Sequence, residues 1–386
     1  SFYYHRYVLE PDTIFNEIHM LESGHYLVYD FQKSTLKDYL YWTPSISKTE
    51  IDEEKIIDQL DQRLFESVKN HLVSDVPISV AFSGGLDSSL ILAMAKKINP
   101  KIKAFTVYRG PDDMDAKYAT QIANYLDLKI DLINYNGNLK IQEIDYLHKI
   151  YDQPIGCSSV FSTFILYKEI AKKGYKVTLI GDGGDELFGG YEWHHNFLNS
   201  KLNFRNLLYY PKKIIKYNFF LQSKNSFERY KKIMLNRFDQ KELIKDFGIE
   251  TDISNHDLYQ KTMLKFEYND LKNIKDLMLL DFNSFLKYNL LRADFSSMAH
   301  SVEARVPFLN TSVVEYAFNI APNLINKNGE PKYLLKKVAE RYLPKKLIYR
   351  PKKGFSSPVT KILPVNNGKE YQQYMIQKWE EKYIEK

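Results

Sequence analysis

The chain has 386 residues, of which 44% are apolar and 26% charged, and its formal net charge at pH 7 is +6. This length allows two or three structural units with a buried core, and so mild a charge does not by itself imply a nucleic-acid partner. A single cysteine excludes an intrachain disulfide framework. The lack of a signal segment and of a roughly 20-residue apolar run predicts a soluble cytoplasmic protein with no membrane partner.

The first 45 residues are rich in tyrosine and phenylalanine and contain short alternating runs such as residues 25–31. They predict two or three strands, in a segment too short to build a core of its own. A long amphipathic helix with acidic residues in its first turn is predicted from about residue 49 to His71.

Strands and helices alternate from about Asp75 to Ile180. The predicted strands are 76–82, 102–108, 129–135 and 175–180, and the predicted helices are 88–97, 115–126 and 161–172. This order predicts an α/β fold, a doubly wound parallel sheet with helices on both faces. Ligands of such sheets bind beyond the carboxyl ends of the strands.

The turn between the first strand and helix of this region is Ser83-Gly-Gly-Leu-Asp-Ser-Ser89. Glycines allow a phosphate to approach the backbone, and the amides that open the helix face the anion. Ser88 and Ser89 add hydroxyl donors, and Asp87 can hold a metal ion that bridges phosphates. The loop lacks the lysine of the phosphoryl-transfer P-loop, so a grip on pyrophosphate is predicted.

A second glycine loop, Gly181–Tyr191, follows the last predicted strand and therefore reaches the same edge of the sheet. It holds three carboxylates, Asp182, Asp185 and Glu186. Such a concentration of negative charge fits Mg²⁺ bound to ATP phosphates. A solvated turn is the alternative, and the pairing of the two loops makes it the weaker one.

Residues 195 to about 290 predict a helical subdomain with basic and aromatic faces, and the tail beyond Pro364 has weak helical character. The runs 209–216 and 229–232 invite a nucleic-acid interpretation, but an amphipathic helical surface explains them more simply. Adjacent histidines do not share one helix face, so His194 and His195 are predicted to be surface or rim residues.

With both loops in place, the chain resembles the synthetase domain of glutamine-dependent asparagine synthetases, within the ATP pyrophosphatases (adenine nucleotide alpha hydrolase-like). Residues 292–299, 302–309 and 350–355 carry further motifs of that family. The resemblance implies an asparagine synthetase-like domain over 46–386, with a helical insertion at about 195–290. Residues 1–45 resemble the C-terminal end of that family's N-terminal nucleophile glutaminase domain.

The resemblance implies an ATP-dependent ligase: aspartate becomes an acyl-adenylate with release of pyrophosphate, and ammonia then gives asparagine. It also implies site roles. Asp182 and Lys352 are the catalytic candidates, Asp87 and Asp185 would bind Mg²⁺, and the ATP or pyrophosphate site would comprise Ser83, Gly84, Gly85, Asp87, Ser88, Ser89, Val107 and Gly181. Glu303 and Arg305 would contact substrate or form a buried structural ion pair.

Two residues depart from the family pattern. Ile180 replaces a serine before the second loop, which removes a hydroxyl near the nucleotide, and Asn310 replaces an aspartate of a structural ion pair. A complete glutaminase is also missing, and Ser1 is rejected as its nucleophile because the residues after it match the end of that domain. Ammonia is therefore expected from solution, from a glutaminase partner, or from a missing N-terminal domain of a longer protein.

Several alternatives stay open at this point. The same adenylation could serve β-lactam formation, peptide macrocyclisation or amidation of a surface-polysaccharide sugar acid. A tRNA-modifying pyrophosphatase and a non-catalytic nucleotide-binding homologue are less favoured. Cys157 is predicted to be a buried inert thiol. The carboxylate, the nitrogen donor and the oligomeric state, for which a homodimer is one candidate, are not determined.

Overall fold

The computed structural model describes residues 8, 10–45, 49–135, 141–199, 226, 230, 271–350, 363–366 and 368–384. Its first elements are an antiparallel hairpin of β1 (His25–Asp30) and β2 (Thr35–Leu40). Tyr26 and Tyr39 stack across the two strands with ring centroids 5.2 Å apart, but most side chains of the hairpin are exposed. The hairpin therefore has no core of its own.

The remaining elements alternate between helix and strand up to residue 199, and those described after it are mostly helices. In chain order they are α1 (Glu53–His71), β3 (Ile78–Ala81), α2 (Leu86–Ile98), β4 (Lys103–Tyr108), α3 (Met114–Tyr125), β5 (Ile130–Asn134), α4 (Ile141–Tyr151), α5 (Ser159–Lys172), β6 (Val177–Leu179), α6 (Gly184–Phe188), α7 (Glu192–Asn199), α8 (Ile274–Phe282), α9 (Phe285–Met298), β7 (Glu303–Arg305), α10 (Thr311–Phe318), α11 (Pro322–Ile325), α12 (Tyr333–Ala339), α13 (Lys345–Ile348) and α14 (Gly368–Tyr383). Short 3₁₀ turns lie at Pro307–Leu309 and Lys327–Gly329.

Five strands form one parallel sheet in the order β5-β4-β3-β6-β7. The chain builds outward from β3 to β5 and then returns to the other side of β3 with β6. The order of strands thus reverses between β3 and β6, and the crevice of such a sheet opens at the carboxyl ends of these two strands. The predicted α/β parallel sheet is confirmed.

Helices cover both faces of this sheet. Val80 and Leu179 point into one hydrophobic cluster, which contains side chains of α1, α2, α10 and α12. The neighbouring positions Ala81 and Ile180 point into another, with side chains of α5 and α9. Because successive residues face two dry sides, every residue of β3 is buried, and the only polar side chain of this strand, Ser79, donates to the Val177 carbonyl of the neighbouring strand.

Helix α1 shows how local chemistry sets the ends and the buried face of an element. The Asp52 carboxylate caps its start by accepting a hydrogen bond from the Lys55 amide. Four fully buried side chains follow at intervals of four residues: Ile56, Leu60, Leu64 and Val68. Each stabilises the fold by about 1.5–3 kcal/mol relative to exposure.

Several elements were not foreseen: helix α4, the short strand β7 and helices α10 to α13 had no prediction. The tail, for which weak helical character was predicted, contains the 16-residue helix α14. Tyr371 and Met375 of α14 are buried in a cluster with Ile155 and Phe161. A few buried side chains on one face hold this polar helix against the rest of the protein. The polar composition of the tail therefore predicts less helix than the structure contains.

A buried polar cluster joins α7 to α8. The fully buried Asp281 carboxyl accepts hydrogen bonds from Trp193 Nε1 (2.8 Å), His194 Nε2 (2.8 Å) and Tyr230 OH (2.7 Å). The prediction that His194 lies at the surface is therefore wrong, because its partner comes from a helix about 90 residues further along the chain. Most of the predicted helical subdomain, with the run 209–216, lies outside the described residues.

No helix among the described residues is long and apolar enough to cross a membrane.

Candidate active site

The two glycine loops leave β3 and β6, the strands on either side of the sheet's reversal, and they touch each other. A Cβ atom added to Gly181 would lie 2.6 Å from the Ser88 backbone nitrogen, and one added to Gly184 would lie 2.6 Å from Cγ of Asp87. Real Cβ atoms essentially never come so close to another heavy atom. Glycine at these two positions is therefore what allows the loops to form a single site.

The first loop is shaped to present backbone amides. Gly84 has a φ of +73°, and a Cβ there would lie 2.7 Å from the backbone of α3. Ser88 Oγ accepts a hydrogen bond from the Ser83 amide (3.2 Å), and the Gly85 amide donates to Ser83 Oγ (3.3 Å). No side chain caps the start of α2. Its first amides thus remain available for an anion, which the helix dipole also favours.

A lysine that the sequence interpretation missed lies between the two loops. Lys332 Nζ lies 2.5 Å from Asp87 Oδ2 and 2.6 Å from Asp185 Oδ1. Burial lowers the pKa of this lysine, but Asp185 and Asp87 outweigh burial and the net shift is upward, so Lys332 is protonated. No motif surrounds it in the sequence, and its position depends on the packing of α12 against the sheet.

The two aspartates fit a magnesium ion bound together with a nucleotide. One oxygen of each carboxylate already faces a single cationic atom, Lys332 Nζ. Among the described residues, no three histidine, cysteine, aspartate or glutamate side chains form a metal cage. A pair of carboxylates suits Mg²⁺, which commonly takes one or two protein carboxylates and completes its shell with phosphates and water.

Asp182 lies at the start of the second loop, beside Arg292 of α9. Nη2 of Arg292 is 3.3 Å from Asp182 Oδ1, and its Nη1 donates to Ser159 Oγ at 2.8 Å. Burial raises the pKa of Asp182, and Arg292 only partly opposes this shift. A raised pKa makes this carboxylate a stronger base, and the guanidinium holds it in place.

Glu186 is a buried carboxyl group behind the same loop. It is 2% exposed, and Tyr191 OH donates to its Oε1 at 2.5 Å. Burial, with a smaller contribution from Asp185, raises the pKa of Glu186 to about 8. The folded protein therefore holds a neutral Glu186 at pH 7.

This burial predicts a pH dependence of stability. Between the ordinary glutamate pKa of 4.5 and about 8, folded Glu186 keeps a proton that the unfolded chain has lost. The free energy of unfolding must fall as pH rises through this window. Glu186→Gln, which cannot titrate, is expected to show a shallower fall between pH 5 and 8 in urea unfolding. Glu192→Gln, an exposed neighbour, is the control, and parallel curves for Glu186→Gln and wild type would contradict the assignment.

The other predicted site residues divide into two groups. Val107 is buried near the carboxyl end of β4, and Ser89 is 1% exposed within α2. Glu303 and Arg305 are not brought to the loops, because the Arg305 guanidinium donates to the carbonyls of His71 and Val73 at the far end of α1. Their ion pair (2.8 Å) is not buried, since more than half of the Glu303 side chain is exposed.

Lys352 lies outside the described residues, so its predicted role stays a prediction.

The two departures from the family pattern have local explanations. The Ile180 side chain is buried in the sheet's hydrophobic cluster with Phe105. Asn310 caps α10 by accepting a hydrogen bond from the Ser312 amide at 3.0 Å. Cys157 is half-buried rather than buried, with Sγ 3.1 Å from Ser159 Oγ, and it lies between two helices.

Comparison with known proteins identifies the family to which the sequence is similar. The family model described as asparagine synthase matches residues 59–385. Glutamine-hydrolyzing asparagine synthetase 1 of Bacillus subtilis is 27% identical over 377 residues, which cover 92% of this chain and 58% of that protein. Amidase chyE of Penicillium rubens is 25% identical, with 91% of this chain and 60% of that protein covered. The chain thus spans little more than half the length of these relatives.

Among solved structures, the NMN synthetase of Francisella tularensis is 14% identical and aligns with 63% of this chain and 97% of its own, with a TM-score of 0.28. A score this low carries no argument about the site.

Proposed function

The chain belongs to the asparagine synthase family, and on that premise we propose that its two glycine loops activate a carboxylic acid with ATP for amidation. The observation that carries the proposal is the contact of the loops at Gly181 and Gly184. It sets an anion-binding helix start beside a pair of carboxylates suited to Mg²⁺. A nucleotide triphosphate with its metal ion matches both halves of this arrangement.

The proposed reaction has two steps. A carboxylate oxygen of the substrate attacks the α-phosphorus of ATP, and the bond to the β-phosphate oxygen breaks, so that pyrophosphate leaves with the electron pair. Ammonia then attacks the acyl carbon, loses a proton, and AMP leaves with the electrons of the broken C–O bond. We propose aspartate as the acid and asparagine as the product. The AMP- and pyrophosphate-forming chemistry is part of this proposal.

Different residues would bind the nucleotide and stabilise the charge that develops on it. The segment Ser83–Gly85, together with Ser88 and the first amides of α2, would hold the pyrophosphate portion of ATP. Val107 would lie beside the adenine, and Lys352 would stabilise the charge that develops during adenylation. Magnesium bound to Asp87 and Asp185 would supply charge neutralisation at the phosphates.

Asp182 is our candidate acceptor for the ammonia proton. Its raised pKa brings it nearer to neutral pH, which improves a general base. Arg292 would act through Asp182, since it fixes that carboxylate at 3.3 Å and is itself held by Ser159. Arg292 is therefore a positioning residue in this proposal.

The second candidate function is the same adenylation on another carboxylate. The similarity to a Penicillium protein named as an amidase is compatible with this candidate, because that name does not specify aspartate. Amidation of a sugar acid and closure of a β-lactam or peptide macrocycle belong to this candidate.

The source of ammonia is a separate part of the proposal. Residues 1–45 would correspond to the end of a glutaminase unit, and the relatives named glutamine-hydrolyzing support such a donor. Ammonia from solution or from a partner glutaminase would serve the same site. Activity of the purified chain with ammonium chloride would show that this site uses free ammonia, whichever source delivers it.

Exchange of labelled pyrophosphate into ATP tests the activation step. The expected result is exchange that depends on aspartate and Mg²⁺, followed by formation of asparagine and AMP when ammonium is added. Exchange with a different acid from a panel of amino acids and sugar acids would favour the second candidate. A folded protein that catalyses no pyrophosphate exchange with any acid of the panel would contradict the proposal. Binding of tRNA at moderate salt would also contradict it.

A further inference from the structure

Lys332 occupies the position between the two aspartates that would bind the metal. Its ammonium nitrogen is 2.5 Å from Asp87 Oδ2 and 2.6 Å from Asp185 Oδ1, and the residue is only 4% exposed. The two carboxylates come from different loops, so one lysine joins the loops electrostatically.

The backbone around Lys332 is built to hold it there. Its φ of +55° and ψ of +33° lie in the left-handed region, which residues with a Cβ seldom adopt. Its side chain passes directly beneath Gly190, where an added Cβ would lie 1.9 Å from Lys332 Cε. A rare backbone conformation and a glycine that makes room both serve the placement of one ammonium group. Such strain at a site favours a functional reason for it.

We propose that Lys332 is a resident counter-ion that keeps a divalent cation away from Asp87 and Asp185 until a nucleotide binds. This inference rests on the proposed function. Without nucleotide, an incoming Mg²⁺ must share the two carboxylates with a buried ammonium that already faces one oxygen of each. The repulsion between the two cations disfavours binding of the metal there.

A bound triphosphate changes the balance. Its oxygens provide new acceptors for the Lys332 ammonium and new ligands for the metal at the same time. The aspartates can then pass from lysine to metal without leaving either cation unpaired. Metal and nucleotide binding are therefore coupled, and by linkage each raises the affinity for the other.

A titration with Mn²⁺ tests the inference without turnover. Binding is measured as the decrease in the electron paramagnetic resonance signal of the free ion. In the absence of nucleotide, Lys332→Met is expected to bind Mn²⁺ at least tenfold more tightly than wild type. Lys337→Met is the matched control, because Lys337 lies on α12, which Lys332 precedes, and pairs with the partly buried Glu340 at 3.1 Å. The control should bind Mn²⁺ as wild type does.

The coupling gives a second measurement. The analogue α,β-methylene-ATP, which cannot release pyrophosphate, should raise the Mn²⁺ affinity of wild type at least tenfold and that of Lys332→Met by a smaller factor. Lys332→Gln, which removes the charge but can still hydrogen-bond both carboxylates, repeats the test if Lys332→Met does not fold.

A folded Lys332→Met or Lys332→Gln with wild-type Mn²⁺ affinity would overturn the inference, as would equal coupling in wild type and variant. Absence of acid-dependent exchange in the wild-type protein counts against the proposed function alone, because the metal titration needs no reaction.

Discussion

Replacement of Asp87 by asparagine is expected to lower acid-dependent ATP–pyrophosphate exchange by about 10³-fold or more. Asparagine has nearly the same shape, so the contact of this side chain with Gly184 is kept while its charge is lost. Both the proposed metal and Lys332 then lose one of two carboxylate partners. A loss of several kcal/mol of electrostatic stabilisation at the phosphates corresponds to this change in rate.

The measurement is initial exchange rate at saturating ATP and Mg²⁺, with far-ultraviolet circular dichroism as the check of folding. Asp58→Asn is the control, since Asp58 pairs with Arg341 on the exposed surface of α1 and should exchange at the wild-type rate. A folded Asp87→Asn variant that kept more than a tenth of the wild-type exchange rate would contradict the proposal. The charge of Asp87 would then not be needed to bind the metal ion or to pair with Lys332.

Asp281→Asn is expected to lower the free energy of unfolding by about 2–4 kcal/mol. The Asp281 carboxyl is fully buried and accepts three hydrogen bonds, from Trp193, His194 and Tyr230. An amide carries no charge and has one acceptor oxygen, so the bonds from Trp193 and His194 lose their charge assistance, and Tyr230 OH can no longer donate to the group that it faces. Burial prevents water from replacing the lost bond.

Urea unfolding followed by circular dichroism measures this effect. Asp145→Asn provides the matched control, because Asp145 forms a half-exposed pair with Lys382 (3.2 Å) whose loss should change stability by less than about 1 kcal/mol. A change of similar size in the two variants would mean that the cluster between α7 and α8 does not stabilise the fold as its hydrogen bonds suggest.

The prediction for His194 failed because the partner of this side chain is distant in the sequence. Periodicity along a helix predicts which faces are apolar, but it cannot tell that a distant aspartate will be buried against a histidine. The tail behaves similarly, since α14 is polar by composition and is held by a few buried side chains such as Met375. Tertiary packing overrides a weak local preference in both cases.

The amino-acid sequence alone was enough to predict the parallel sheet, the two glycine loops and their meeting at one edge. Each loop is a short continuous run, and the carboxyl ends of parallel strands share an edge whatever the details of packing. Only the tertiary structure decided which cation faces Asp87 and Asp185, which guanidinium holds Asp182, and that Glu303 and Arg305 lie elsewhere. Lys332 stands 245 positions from Asp87, and its ammonium reaches the loops because α12 packs against the sheet and Gly190 leaves room beneath it. Long-range contacts of this kind depend on how helices pack, and no local pattern of residues encodes them.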